Sequence, residues 1–198
     1  IEAIVNDLAD IQIVGGRLYL RPTPEAFPLA IGVSGIVDLY PLRELGSDQA
    51  EVFGDPMLIN VGTDVEYPLI RRDALSMLLF GDLAGMLPYY RNDGQGAFSG
   101  VNRGLGLDTL YVEGEGLRNY GAMAGILGNL GPIGYRADFR YYQGSFIPAI
   151  FDNIYDKQRV NYAIQAATFS NDPDSGDFDQ ITMGLYGEAQ YTWENIFS

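Results

Sequence analysis

Histidine and cysteine are absent from the 198 residues, and lysine occurs once, at Lys157. No disulfide can staple the fold, and no thiolate or imidazole is available to a metal or to catalysis. Ser-His-Asp and Cys-His machinery are excluded. Only 12 bases stand against 26 acids, a formal charge of −14. That balance argues against a nucleic-acid partner, whose phosphates reward Lys and Arg. No stretch reaches the about 20 apolar residues of a membrane helix, because Asp38, Asp64, Asp82, Asp138 and Glu188 interrupt the apolar regions. A β-barrel membrane protein escapes this exclusion, since its strands need only about 9–11 residues that alternate polar with apolar. Residues 1–10 lack the basic start and apolar run of a signal peptide. Ile1, Ile4, Val5 and Leu8 sit at helical spacing, which predicts a short helix or loop segment ahead of a β domain over 11–198.

What the chain does have is glycine (25), tyrosine (14) and a repeated period-2 pattern. From Leu29, alternate positions read Leu29, Ile31, Val33, Gly35, Val37, Leu39, against Ala30, Gly32, Ser34, Ile36, Asp38, Tyr40. A second run sets Ile59, Val61, Val65 and Tyr67 against Asn60, Gly62, Asp64 and Glu66. A third sets Ile133, Tyr135, Ala137, Phe139 and Tyr141 against Gly134, Arg136, Asp138, Arg140 and Tyr142. A fourth sets Ile181, Met183, Leu185, Ala189 and Tyr191 against Thr182, Gly184, Tyr186, Glu188 and Gln190. Consecutive side chains of a strand point to opposite faces, so each run has one apolar face and one small or polar face. Residues 75–89, 119–128 and 159–169 add three less regular runs. Residues 11–20 add a fourth, whose phase changes at Gly15-Gly16, where a bulge is expected. Eight candidate strands result, with no confident long helix.

The links between them sort by length. Those after the first, third and fifth candidates (21–27, 70–74, 129–132) are short, and those after the second, fourth and sixth (41–55, 90–118, 143–158) are long. Strands running up and down put alternate links at opposite ends of a sheet, so tight turns gather at one end and long loops at the other, as in outer-membrane barrels.

On the segments PLAIGVSGIVDLYP (28–41), LINVGTDVEYPL (58–69), GYRADFRYYQGSFIP (134–148) and GLYGEAQYTWENIF (184–197) the chain resembles bacterial outer-membrane β-barrel proteins. FIPAIFDNIYDKQR (146–159) is similar to a loop of spirochaetal outer-membrane proteins. The resemblance implies an all-β, antiparallel up-and-down transmembrane barrel with about eight strands in view, located in the bacterial outer membrane. It implies a passive, porin-like and cation-favouring transport role or a structural one. The implied partners are outer-membrane lipid and small solutes or cations; no cofactor and no enzymatic activity are expected. Two features depart from the family: Phe197 is penultimate where an aromatic residue normally ends the chain, and eight strands with these links run the last one outward. A fragment of a larger barrel would account for both. The alternative is a soluble or secreted antiparallel β domain that binds a ligand or glycan through aromatic loops.

In a membrane barrel the apolar face meets lipid and the polar face lines the lumen. The lumen-facing charges expected on this basis are Asp38, Asp64, Glu66, Asp82, Arg136, Asp138, Arg140, Arg159 and Glu188, with Arg136, Asp138 and Arg140 pairing to Asp64, Glu66 or Glu188 as an internal network. Tyr40, Tyr67, Tyr89, Tyr90, Tyr141, Tyr142, Tyr191 and Trp193 lie near strand ends, where interfacial girdles sit. Asp172, Asp174, Asp177 and Asp179 form a weak calcium candidate, for which ordinary turn chemistry is the simpler explanation. No catalytic site is assigned.

Overall fold

The computed structural model describes residues 1–22, 28–114, 116–144, 146, 155–172 and 180–192. The elements are β1 (Glu2–Val5), β2 (Ile13–Leu20), β3 (Ala30–Asp38), α1 (Ser47–Val52), β4 (Pro56–Arg72), β5 (Leu75–Tyr90), β6 (Gly104–Leu105), β7 (Tyr111–Val112), β8 (Gly116–Leu117), β9 (Tyr120–Leu130), β10 (Ile133–Gln143), α2 (Tyr155–Asn171) and β11 (Ile181–Tyr191). The main sheet is antiparallel in the order β1-β2-β3-β4-β5-β9-β10-β11, with β6 appended to β5. It is not closed into a barrel: among the described residues β1 and β11 each pair on one side only.

The period-2 runs become strands because each satisfies its backbone against a neighbour in continuous register. One row across the sheet reads Tyr19, Gly32, Asp64, Asp82, Met123, Arg140, Gly184. The next row reads Leu18, Val33, Thr63, Leu83, Ala122, Tyr141, Met183. Residues directly opposite in an antiparallel pair share a face, so the sheet carries one charged, small-residue face and one apolar face. β2 pairs without interruption through Gly15 and Gly16, so the expected bulge is absent there. The register shift falls instead between Pro68 and Ile70, where proline has no N–H to give the ladder.

Two expected elements differ. Glu2–Val5 is a strand paired to β2, not a short helix: its helical spacing is outweighed by the free edge that β2 offers it. Residues 159–169 lie in the helix α2, not a strand. Val160, Tyr162 and Ile164 alternate, but the residues that bury are Tyr155, Arg159, Ala163, Ala166, Ala167, Phe169 and Ser170, a stripe at helical spacing.

The added strand β1 and the replacement of the 159–169 strand by a helix together set the direction of the first and last strands. The turns 73–74 and 131–132 lie at one end of the sheet, where β2 also ends and β3 begins; residues 6–12, 39–55 and 91–114 lie at the other, where β10 ends and β11 begins. β1 starts and β11 finishes at the tight-turn end. The two-residue turn at Gly131-Pro132 uses Gly131 at φ 56°, a left-handed conformation that glycine adopts freely.

Candidate functional site

The charged face is assembled by register. Asp38, Asp64, Glu66, Asp82, Arg136, Asp138, Arg140 and Glu188 all project from it. Arg159 reaches it from α2 rather than from a strand. Its ion pairs differ from those expected. Asp138, with a fully buried carboxylate, is clamped between its own strand neighbours, Arg136 Nε at 2.7 Å and Arg140 Nε at 2.5 Å. Arg136 leans over the Phe80 ring, 4.9 Å from its centre, and Arg140 over Tyr186 at 4.3 Å. Asp64 pairs with Arg17 at 2.8 Å, and Tyr19 donates to Glu66 at 2.9 Å. Arg17 and Tyr19 escaped the sequence reading because the assumed bulge at Gly15-Gly16 made their face ambiguous; the alternation Ile13, Gly15, Arg17, Tyr19 was the available signal.

Small residues make these cross-strand reaches possible. Arg17 on β2 reaches Asp64 on β4 past Gly32 on β3, where an added Cβ would overlap the Asp64 carboxylate. Gly121 performs the same service for Phe146, whose ring stacks on Tyr142 at 5.9 Å. The space between these groups is a cavity of about 400 Å³ bounded by Glu2, Arg17, Ser34, Gly62, Ala84 and Phe146. A second, of about 410 Å³, lies at the tight-turn end between Arg71, Ser76, Asn129, Arg136, Glu188 and Gln190.

α2 covers the long-link end of the same face. Ala163 and Ala166 pack with Leu42, Ala50, Leu58 and Met86, and small residues let the helix approach closely. Arg159 donates to Asp38 at 2.7 Å, to the Tyr40 carbonyl at 3.0 Å and to Gln12 at 2.6 Å. The Tyr155 hydroxyl donates to the other Asp38 oxygen at 2.6 Å. Asp38 and Arg159 are both buried, so this pair is a fixed latch, not a solvated contact. Tyr90, expected in an aromatic girdle, is instead buried and donates to Ser170 at 2.8 Å, because its even position on β5 places it on the charged face beneath α2. Outside the sheet, Arg43 and Gln12 hold the Asp10 carboxyl below the usual carboxylate range by hydrogen bonding.

The apolar face is uncovered over most of its extent. Val33 is 56% exposed, Val61 41%, Phe139 45% and Leu185 88%. Along β4 the exposed apolar residues run from Val61 to Leu69, about 26 Å at the usual strand rise.

Among the described residues no group of side chains could hold a metal ion. Of the calcium candidates, Asp172 is exposed; Asp174, Asp177 and Asp179 lie outside the described residues, as does Trp193. Among the described residues no helix is long and apolar enough to cross a membrane. No family model matches the chain, and no curated protein or solved structure is significantly similar to it.

Proposed function

We propose that the chain forms the wall of a bacterial outer-membrane β-barrel, with its charged face toward an aqueous lumen and its apolar face toward lipid. The carrying observation is the exposure of Val33, Val61, Phe139 and Leu185 on one face while Asp38 and Asp138 are buried on the other. Contiguous exposed apolar patches of this kind mark membranes or partners. The nine residues from Val61 to Leu69 match the about 9–11 residues with which a tilted strand crosses a bilayer, and the long links share one end, as external loops do.

In this reading α2 covers the charged face at the long-link end, and below it Arg17, Arg136 and Arg140 stand on the same face as Asp64, Glu66, Asp82 and Glu188. Such a surface passes small polar solutes rather than apolar ones. The acidic excess of the chain, −14, favours cations at its mouth. The alternative, a soluble β domain reading ligands through aromatic loops, requires the apolar face to be covered by something else.

Membrane fractionation tests the reading. The folded chain is expected to stay with the membrane through carbonate and high-salt washes and to give cation-selective conductance in planar bilayers. Release by carbonate, with good behaviour in buffer free of detergent, would overturn it.

A further inference from the structure

We propose that the groove between the 107–117 segment and the apolar face of the sheet holds one acyl chain of a membrane lipid. The proposal rests on the membrane-wall reading and names a particular partner for one part of that wall.

The groove arises where the chain leaves the sheet. β6 pairs with the end of β5 at Tyr89 and Tyr90, and β9 takes up the pairing with β5 from Tyr120, opposite Gly85. Between them the chain turns at Leu107–Thr109, forms the hairpin of β7 and β8, and returns through Asn119 at φ 52°. The segment lies over the apolar face. Gly85 is opposite Val61 and so shares that face. A Cβ added there would stand 2.8 Å from a Leu110 methyl carbon, so glycine allows the close approach. The space left between segment and sheet is about 280 Å³, bounded by Val61, Thr63, Leu83, Leu110, Leu117 and Tyr120.

The lining selects hydrocarbon. Four of these six side chains are aliphatic, and the two polar ones are turned to the protein. Thr63 donates to the Gly32 carbonyl at 3.0 Å. The Tyr120 hydroxyl is hydrogen-bonded to Tyr141, whose ring lies 5.7 Å away. Among the described residues no charged side chain lines the groove. A sugar, phosphate or ion would lose its water there without replacement.

Position commits the groove to a lipid. Val61 and Leu83 are exposed at the long-link end of the apolar face, so the groove is continuous with the surface assigned to hydrocarbon. The segment's own outer side is apolar too, with Leu107, Tyr111 and Leu117 each more than half exposed. Glu113, at the hairpin turn, is exposed. Apolar flanks with an acidic tip suit a segment lying across the boundary between leaflet and water. Hydrocarbon already surrounds the wall, so removal from water adds little. What retains the acyl chain is contact from two sides, the sheet and the segment.

Native mass spectrometry from phosphatidylcholine nanodiscs, without detergent, tests this. The unmodified chain is expected to retain one phosphatidylcholine at collision energies that strip the remaining lipid. Val61→Trp and Leu117→Trp fill the groove from its two walls and are expected to lower that retention at least ten-fold. Val65→Trp, on the same face of β4 but outside the groove, is expected to leave it unchanged. Hydrogen exchange over β4 and β5 verifies that each variant is folded. A disc-inserted chain that retains no lipid overturns the groove site and leaves the membrane reading standing. Retention unchanged in both groove variants, or lost equally in Val65→Trp, does the same. A chain that never enters the discs overturns both.

Discussion

Arg159 and Asp38, 121 positions apart in sequence, meet at 2.7 Å with both side chains out of water. The contact fastens α2 across the end of β3 and decides whether the charged face is open or covered there. Breaking a buried pair by removing one member leaves an uncompensated charge, which costs about 3–5 kcal/mol. Arg159→Ala is therefore expected to release the helix while the sheet stays folded. Hydrogen exchange over 155–171 would rise at least a hundred-fold with β4, β5 and β9 protected, and single-channel conductance would increase. Unchanged exchange in the helix would refute the latch.

Asp138 holds two guanidinium groups that are each about one-third exposed. Solvent screens such pairs, so Asp138→Asn is expected to cost about 1–2 kcal/mol, less than loss of the buried latch. Denaturant unfolding in detergent measures the difference. An equal or larger loss than for Arg159→Ala would contradict the assignment of α2 to the stronger contact.

Gly32 and Gly35 both lie on β3, three positions apart, and face opposite sides. A methyl group at Gly32 meets the Asp64 carboxylate, whereas one at Gly35 meets only the Asn60 carbonyl oxygen, at 3.9 Å. Gly32→Ala is expected to displace Asp64 from Arg17 and destabilise by about 1–3 kcal/mol, in the range of overpacked sites. Gly35→Ala should be close to neutral. Thermal unfolding of both variants checks the pair, and equal effects would mean that the faces are misassigned.

The strands were legible because their burden is local: alternation at Val33, Val61, Phe139 and Leu185 needs no knowledge of neighbours. The helix was not. Ala163, Ala166 and Ala167 bury completely or nearly so, yet alanine carries little apolar weight, and the larger Val160, Tyr162 and Ile164 alternate by coincidence. Parity alone gathered the charges of the strands on one face, but it misplaced Arg159, which comes from α2 and not from a strand. The partners of these charges were not legible, because which carboxylate an arginine reaches depends on the glycines that clear its path, as at Gly32. The open edges were illegible for a further reason: nothing in the pattern of one strand says what pairs with the last.

Leu185 stands 88% exposed on β11. If that side meets hydrocarbon, Leu185→Lys is expected to cost about 2–4 kcal/mol of insertion, while Glu188→Lys on the opposite face should be tolerated within about 1 kcal/mol. Folding into lipid vesicles at graded urea, followed by gel mobility, reports both. Indifference to the lysine at 185 would show that water, not lipid, lies there.

The most direct test of the account is spin-label accessibility along β3 and β4 in lipid vesicles, one cysteine at a time in this cysteine-free chain. Labels at Val33, Val61 and Val65 are expected to collide preferentially with oxygen dissolved in the bilayer. Labels at Ser34, Asn60 and Asp64 are expected to collide with a water-soluble nickel chelate. An accessibility that fails to alternate with period two, or alternates with these two sets exchanged, would contradict the claim that the apolar face of this sheet is turned to the membrane.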